Sequence, residues 1–335
     1  MLICGYPFRL VGEDSPARAA IAEMLRCLPR ADCHEYCTLS VHQLEQHAAL
    51  QKHVPAWLLA HLANLPEGDA VHLVYASDGG CAALAANTQA RYCAWLSADS
   101  RQIHYIAQKR SEGLTPLSVS SVLVPVLREF FAVQGAVLLH AAAVQMPAGH
   151  GMLLLAESGG GKTTTALALL RSGARLLADD LVLVQPHDDA LRIHGIAEAL
   201  NLTAQTMAFF PEIEAAANKL PDQTILPNGK RILAADAIYP DAYQHKPCQL
   251  HAICSLRVQG EQPLLHPMPV QQAFGLLLHA HTFAKGQRQS RAALDLCSAA
   301  LAAVPVFTLS TGADPQRLGP WLMNELRSLR PQEEH

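Results

Sequence analysis

The run Ser158-Gly-Gly-Gly-Lys-Thr-Thr164 is the part of this chain best equipped for chemistry. Backbone N–H groups in a glycine-rich turn can point inward at phosphate oxygens, and the positive end of a following helix dipole adds attraction for anions. On this reading Ser158, Gly159, Gly160, Gly161, Lys162, Thr163 and Thr164 hold the polyphosphate of ATP or GTP. Lys162 reaches the β- and γ-phosphates, and the Thr163 hydroxyl ligates Mg²⁺. The usual first glycine of G-x-x-x-x-G-K-[ST] is Ala156 here, and a methyl group is small enough to be tolerated. Seventeen positions after Lys162 two acids stand side by side, Asp179-Asp180, within an apolar stretch. Buried carboxylates cost free energy unless they are paired or hold a metal. Phosphoryl transfer wants one acid for Mg²⁺ and one to accept the proton of the attacking hydroxyl. Strand neighbours face opposite ways, so the two acids can divide those tasks unless the strand ends or bulges between them. The competing reading is a pair of acids at a strand end making turn contacts.

The surrounding pattern supplies the elements that would position these groups. Met152 to Ala156 reads as a buried strand and Thr164 to Arg171 as a helix ending at Gly173, so the glycines occupy a strand-to-helix turn. Val137 to His140 is a preceding strand, joined to 152–156 across Pro147-Ala-Gly149, and Arg175 to Val184 a following one. Later come a strand from Leu250 to Val258, helices from Gln271 to His281 and Arg291 to Ala303, and a strand from Val304 to Leu309 whose Pro305 suggests a sheet edge. Before residue 115 the signals mix. Pro16 to Leu28 reads as a helix behind Asp14-Ser15, with further helices from Ser40 to about Lys52 and around Trp57 to Leu65. Short strands are expected at 70–75, 81–85, 91–96 and 102–107. The polar stretch 108–113 marks a boundary, followed by a connecting helix from Leu117 to Val133 in which Pro125 is a candidate kink.

Composition narrows the function classes. With 25 Lys+Arg against 29 Asp+Glu the net charge is −4, which leaves no electrostatic footprint for nucleic acid and no polybasic patch for a membrane surface. The nine cysteines are odd in number and scattered, which fits a reducing compartment. Together with an N-terminus that lacks a signal-peptide layout, this suggests a cytoplasmic location. Self-association into a homo-oligomer is left open.

The segment from Ala156 to Asp180 resembles the bacterial HPr serine kinase/phosphorylase family and its HPr-kinase-related relatives. There a G-x-S-G-x-G-K-[ST] loop leads through a helix to G-x-x-L-[IV]-A-D-D at the same interval. The family's Leu-His-Gly on the preceding strand is similar to Leu139-His140-Ala141 here. The resemblance implies an α/β fold, a P-loop core of the HPr kinase and phosphoenolpyruvate carboxykinase type over 116–315. A smaller N-terminal α+β domain over 1–115 and a C-terminal helix and tail over 316–335 complete the expected layout. It also implies a serine kinase using ATP and Mg²⁺, with a peptide or protein acceptor. Asp179 would be the base at the acceptor hydroxyl with His140 beside it, and Asp180 would join Thr163 on the metal. The family's Glu-x-Arg-Gly-Leu-Gly signature and Pro-Gly-Arg-Asn loop are missing; His194-Gly-Ile-Ala-Glu-Ala-Leu-Asn-Leu202 follows the acid strand instead. Phosphorolysis is therefore not expected. The resemblance leans toward relatives that phosphorylate a ribosomally made peptide of the lasso type. A bifunctional kinase/phosphorylase, an ATPase switch without an acceptor and a small-molecule kinase remain the alternatives.

Weaker signals complete the set. Lys230-Arg231, and Lys285, Arg288 and Arg291 after His279-Ala-His281, are either solvated basic loops or clamps for phosphate or acceptor. Glu198 is a further candidate for the metal. Cys27, Cys33, His34 and Cys37 have spacings unlike those of paired zinc ligands.

Overall fold

A computed structural model describes residues 2–3, 6–24, 37–44, 50–66, 68–86, 90–109, 116–196, 199–219, 229–280 and 287–328. The fold is mixed α/β. It divides into two units, Met1–Leu138 with Thr282–Ala292, and Leu139–His281 with Ala293–His335.

In the first unit β1 (Leu2–Ile3), β2 (Tyr6–Val11), α1 (Pro16–Met24) and β3 (Cys37–Leu44) are followed by α2 (Leu50–His53) and α3 (Ala56–Ala63). A run of strands then follows, β4 (Gly68–Tyr75), β5 (Cys81–Ala86), β6 (Ala90–Leu96) and β7 (Gln102–Lys109), before α4 (Pro116–Val133). Among the described residues the sheet order is β1-β2-β3-β7-β6-β5-β4. All six residues of β5 are buried, as a strand covered on both faces requires. Leu58 and Leu62 of α3 pack on Ala82, Leu84, Cys93, Trp95 and Ile106, and full burial of each leucine contributes about 2 kcal/mol. The second cover is α4, which lies on β5 and β6 and continues through Pro125. Because α4 joins this sheet, the division between units falls after it rather than at 108–113.

One expectation fails here. Of the helix anticipated from Ser40 to Lys52, the described residues 40–44 belong instead to β3, set in parallel between β2 and β7; Leu50–His53 is helical, and 45–49 lie outside the described residues. Leu39 and Val41 are buried while Thr38, Ser40 and His42 are half-buried, a period of two rather than 3.6.

The elements after α4 are β8 (Val137–His140), β9 (Ala142–Gln145), β10 (Gly151–Leu155), α5 (Lys162–Arg171), β11 (Arg175–Ala178), β12 (Leu181–His187), β13 (Ala190–Gly195) and β14 (Leu200–Leu202). The chain continues with α6 (Ala204–Ala208), α7 (Pro211–Ala217), β15 (Arg231–Leu233), β16 (Cys248–Arg257), β17 (Leu264–Pro267), α8 (Val270–Ala280), α9 (Gln287–Ala303), β18 (Val306–Ser310) and α10 (Pro315–Ser328). Of these, β8 and α9 straddle the division between units, at Leu138/Leu139 and Ala292/Ala293. Their main sheet runs β11-β9-β10-β16-β13-β12-β8, with β18 paired to β16 and β17 paired to β18. The spine is β16, parallel to both β10 and β18. β18 is thus flanked on both sides, not an edge; Pro305 precedes it, and its carbonyl accepts a bond from the Ile253 N–H. Among the described residues no helix is long and apolar enough to cross a membrane.

Two further departures bear on the site. An unanticipated strand, β9, forms a hairpin with β10. The strand expected to run unbroken from 175 to 184 stops at Ala178, bends through Asp179-Asp180 and resumes as β12. β11 pairs with β9 and β12 with β13, so the chain changes partner at the two acids. Gly195 of β13 lies against that crossing, where a Cβ would overlap the backbone of Leu177. Gly195→Ala should therefore lower stability by roughly 1–3 kcal/mol, the usual cost of overpacking. Urea unfolding measures it, and an unchanged midpoint would show that β11 retreats freely.

His194, next to Gly195, is buried, and desolvation, aided by the charge of Arg192, pushes its imidazole down to about 4. Below the ordinary value of 6.5 the unfolded chain takes up a proton that the folded chain refuses. The stability tied to His194 is thus whole above that pH and lost as pH falls toward 4, by about 3 kcal/mol. His194→Gln should flatten this part of the stability profile; an unchanged slope in the variant would sink the assignment.

Candidate active site

The glycine loop links β10 to α5. Gly159 and Gly161 have φ of 78° and 90°, left-handed values that glycine adopts without strain. Gly160 must lack a side chain for a different reason. A Cβ there would stand 2.7 Å from the Ala156 methyl and 3.0 Å from the Glu157 carbonyl oxygen. Ala156 therefore fits because Gly160 leaves room for it. Gly161 is the N-cap of α5, and the first N–H groups of a helix have no intrahelical acceptor, so they face the loop as donors.

Lys162 is buried. Its Nζ donates to the Ala156 carbonyl at 2.8 Å and lies 3.3 Å from His140 Nε2. The other ring nitrogen, His140 Nδ1, is 2.9 Å from Asp180 Oδ1. An ammonium can only donate, so Nε2 accepts, and Nδ1 carries the proton and donates to Asp180. Lys162, His140 and Asp180 thus form one directed chain. Burial pulls the Lys162 ammonium below its ordinary range, against the opposing charges of Asp180 and Asp179. Burial acts to raise the Asp180 carboxyl, but the bond and charge of His140, with Lys162 and Lys230, hold it below the usual carboxylate value.

Asp179 occupies a different environment. It is buried, and the Thr163 hydroxyl donates to its Oδ2 at 3.0 Å, while Oδ1 is buried without a hydrogen-bond partner. Desolvation and the neighbouring Asp180 push its carboxyl up to about 6, and the Thr163 bond pulls the other way. The pairing anticipated from the family resemblance, Asp180 with Thr163 and Asp179 with His140, is therefore crossed here. The cause is the bend between β11 and β12. It turns Asp179 inward to α5 and Asp180 toward β8, where the Ala141 N–H bonds the Asp180 carbonyl at 3.0 Å.

Of the basic clusters, Lys230 has its charge within reach of Lys162, Asp179 and Asp180. Arg231 instead donates to the Ala217 carbonyl at 2.9 Å. Arg291 is exposed on α9, while Lys285, the side chain of Arg288, and Glu198, Cys27, Cys33 and His34 lie outside the described residues. Cys37 is a free thiol, and among the described residues no group of three or more His, Cys, Asp or Glu is placed to hold a metal. Sequence reasoning missed Thr206, whose hydroxyl is 3.0 Å from that of Thr164 and 2.9 Å from that of Thr203, the N-cap of α6. The signal was the Thr203-Ala-Gln-Thr206 spacing, an N-cap pattern in front of a short helix.

Comparison with known proteins adds little to this geometry. No family model matches the chain, and no curated protein does. Among solved structures it is similar to the HPr(Ser) kinase/phosphatase from Coxiella burnetii, at 13% identity and a TM-score of 0.29 over 57% of this chain and 94% of that one. A likeness so distant leaves the functional reading to the residues themselves.

Proposed function

We propose that the protein is an ATP- and Mg²⁺-dependent phosphotransferase, of the HPr-kinase-like type, that moves the γ-phosphoryl group to a serine-type hydroxyl of a peptide or protein. The observation that carries this reading is the convergence of Lys162, Thr163, Asp179, Asp180 and His140 at the N-terminal end of α5.

The donor set fits Mg²⁺. Asp179 offers a buried oxygen with no hydrogen-bond partner next to the Thr163 hydroxyl, and Mg²⁺ is commonly held by one or two protein oxygens with phosphates and waters completing the octahedron. When bound, the metal supplies charge neutralisation on the phosphate oxygens. Asp179 and Thr163 would hold it, and an adjacent cation favours the charged form of the Asp179 carboxylate that burial disfavours. Lys162, released from the Ala156 carbonyl, would turn its ammonium to the polyphosphate, with Lys230 as a second positive charge. Asp180, kept ionised and half-exposed, would accept the proton of the incoming hydroxyl, and His140 would hold it in place. These roles exchange the two acids relative to the family resemblance.

The resemblance over 156–180 supports a ribosomally made peptide of the lasso type as the acceptor class, and the missing Glu-x-Arg-Gly-Leu-Gly stretch supports a kinase without phosphorolysis. The test is to incubate the protein with ATP, Mg²⁺ and a panel of serine-containing peptides and to read phosphopeptides by mass spectrometry, with Asp180→Asn as the control. A phosphopeptide made by the wild type and not by the variant is the expected result. ATP consumed with no phosphopeptide formed would favour an ATPase switch, and phosphopeptide formed equally by the variant would remove Asp180 from the mechanism.

A further inference from the structure

We propose that the second unit carries another anion site, remote from the glycine loop, that takes a small dianion of the phosphate or dicarboxylate class. The site is a concavity of about 500 Å³ lined by His187, Asp188, Arg192, Lys246, Cys248 and Gln249, a size typical of small-molecule sites. It stands independently of the reading of the loop.

Position separates the two. Cys248 opens the ten-residue strand β16, and Val258, just past its other end, lies 2.9 Å from where a Cβ on Gly161 would be. Ten residues of strand span roughly 30 Å. A ligand beside Cys248 is therefore neither the transferring phosphoryl group nor the hydroxyl that receives it.

Charge defines the ligand. Arg192 and Lys246 bring two cations to the cavity, and among the described residues neither has an ion-pair partner. The one carboxylate in the lining, Asp188, is 86% exposed to solvent, with its Oδ2 2.9 Å from His187 Nδ1, so two cations stand against one well-screened acid. Arg192 lies across from Gln185 on one side and Gln249 on the other, so its ladder neighbours are neutral. The buried residues before and after it, Leu191 and Ile193, fix the strand and leave Arg192 on the opposite face. A guanidinium fork offers two parallel N–H groups to a carboxylate or phosphate. His187, with Nδ1 engaged, keeps Nε2 for the ligand. Its turn is preorganised: Asp188 holds a left-handed φ of 52° between β12 and β13.

The test is histidine-ring NMR of the full chain titrated with inorganic phosphate and, separately, with succinate, each against sodium chloride at matched ionic strength. His187→Gln assigns the signal. Saturable movement of the His187 resonance, alike in wild type and in Lys162→Ala, is expected, with affinity weakened about tenfold or more by Arg192→Gln or Lys246→Gln. Lys246 is exposed, so its variant keeps the test open if Arg192→Gln fails to fold. Response to phosphate alone or to succinate alone supports the site and identifies the ligand's source. No movement, movement matched by chloride, or affinity indifferent to Lys246→Gln would overturn it.

Discussion

Asp180→Asn should reduce phosphoryl transfer by roughly 10²- to 10⁴-fold, the range for loss of a general base, while leaving Mg²⁺-ATP affinity nearly unchanged. The asparagine keeps the shape and can still accept from His140 Nδ1, the 2.9 Å bond of the native protein, but it cannot take a proton. Asp179→Asn should behave differently. Its Oδ2 receives the Thr163 hydroxyl at 3.0 Å and its Oδ1 is buried and unpartnered, so removing its charge should raise the Mg²⁺ concentration needed for half-maximal rate. Steady-state kinetics against ATP and Mg²⁺ separate the two. The opposite split, with Asp179 controlling turnover and Asp180 the metal requirement, would restore the family's assignment and contradict the one drawn from the bend at 179–180.

Lys162→Ala should weaken Mg²⁺-ATP binding by roughly 10- to 100-fold, the value of a charge-assisted hydrogen bond to phosphate. Part of the intrinsic gain is offset in the wild type, because the ammonium must first leave the Ala156 carbonyl and His140, at 2.8 and 3.3 Å. Lys162→Arg should not rescue: the lysine occupies a buried pocket, and the larger planar group has different geometry. Isothermal calorimetry gives the affinities. Equal binding by wild type and Lys162→Ala would show that the lysine is a structural residue of the loop.

What was legible in the sequence was local. The glycine loop and α5 could be read because a strand, a turn and a helix follow one another within 151–171, each with its own signal. The division of labour between Asp179 and Asp180 was legible as a principle but not in direction, since that depends on a bend where the chain leaves β9 for β13. β9 itself escaped notice because Ala142-Ala-Val-Gln145 has weak strand propensity; its pairing with both β10 and β11 makes it a strand. β3 was misread because its partners, β2 and β7, are distant in sequence and Val41 and Leu44 mimic helical spacing. The cations Arg192 and Lys246 meet only through the β13–β16 ladder, so no local pattern announces their cavity.

The most direct test is a crystal structure of the protein soaked with Mn²⁺ and a non-hydrolysable ATP analogue, with the metal located by its anomalous signal. The account predicts the β- and γ-phosphates against the loop of Gly159 to Thr163 at the start of α5, and the metal between the Thr163 hydroxyl and Asp179. A metal seated on Asp180 and His140, or a nucleotide bound away from the loop, would contradict it.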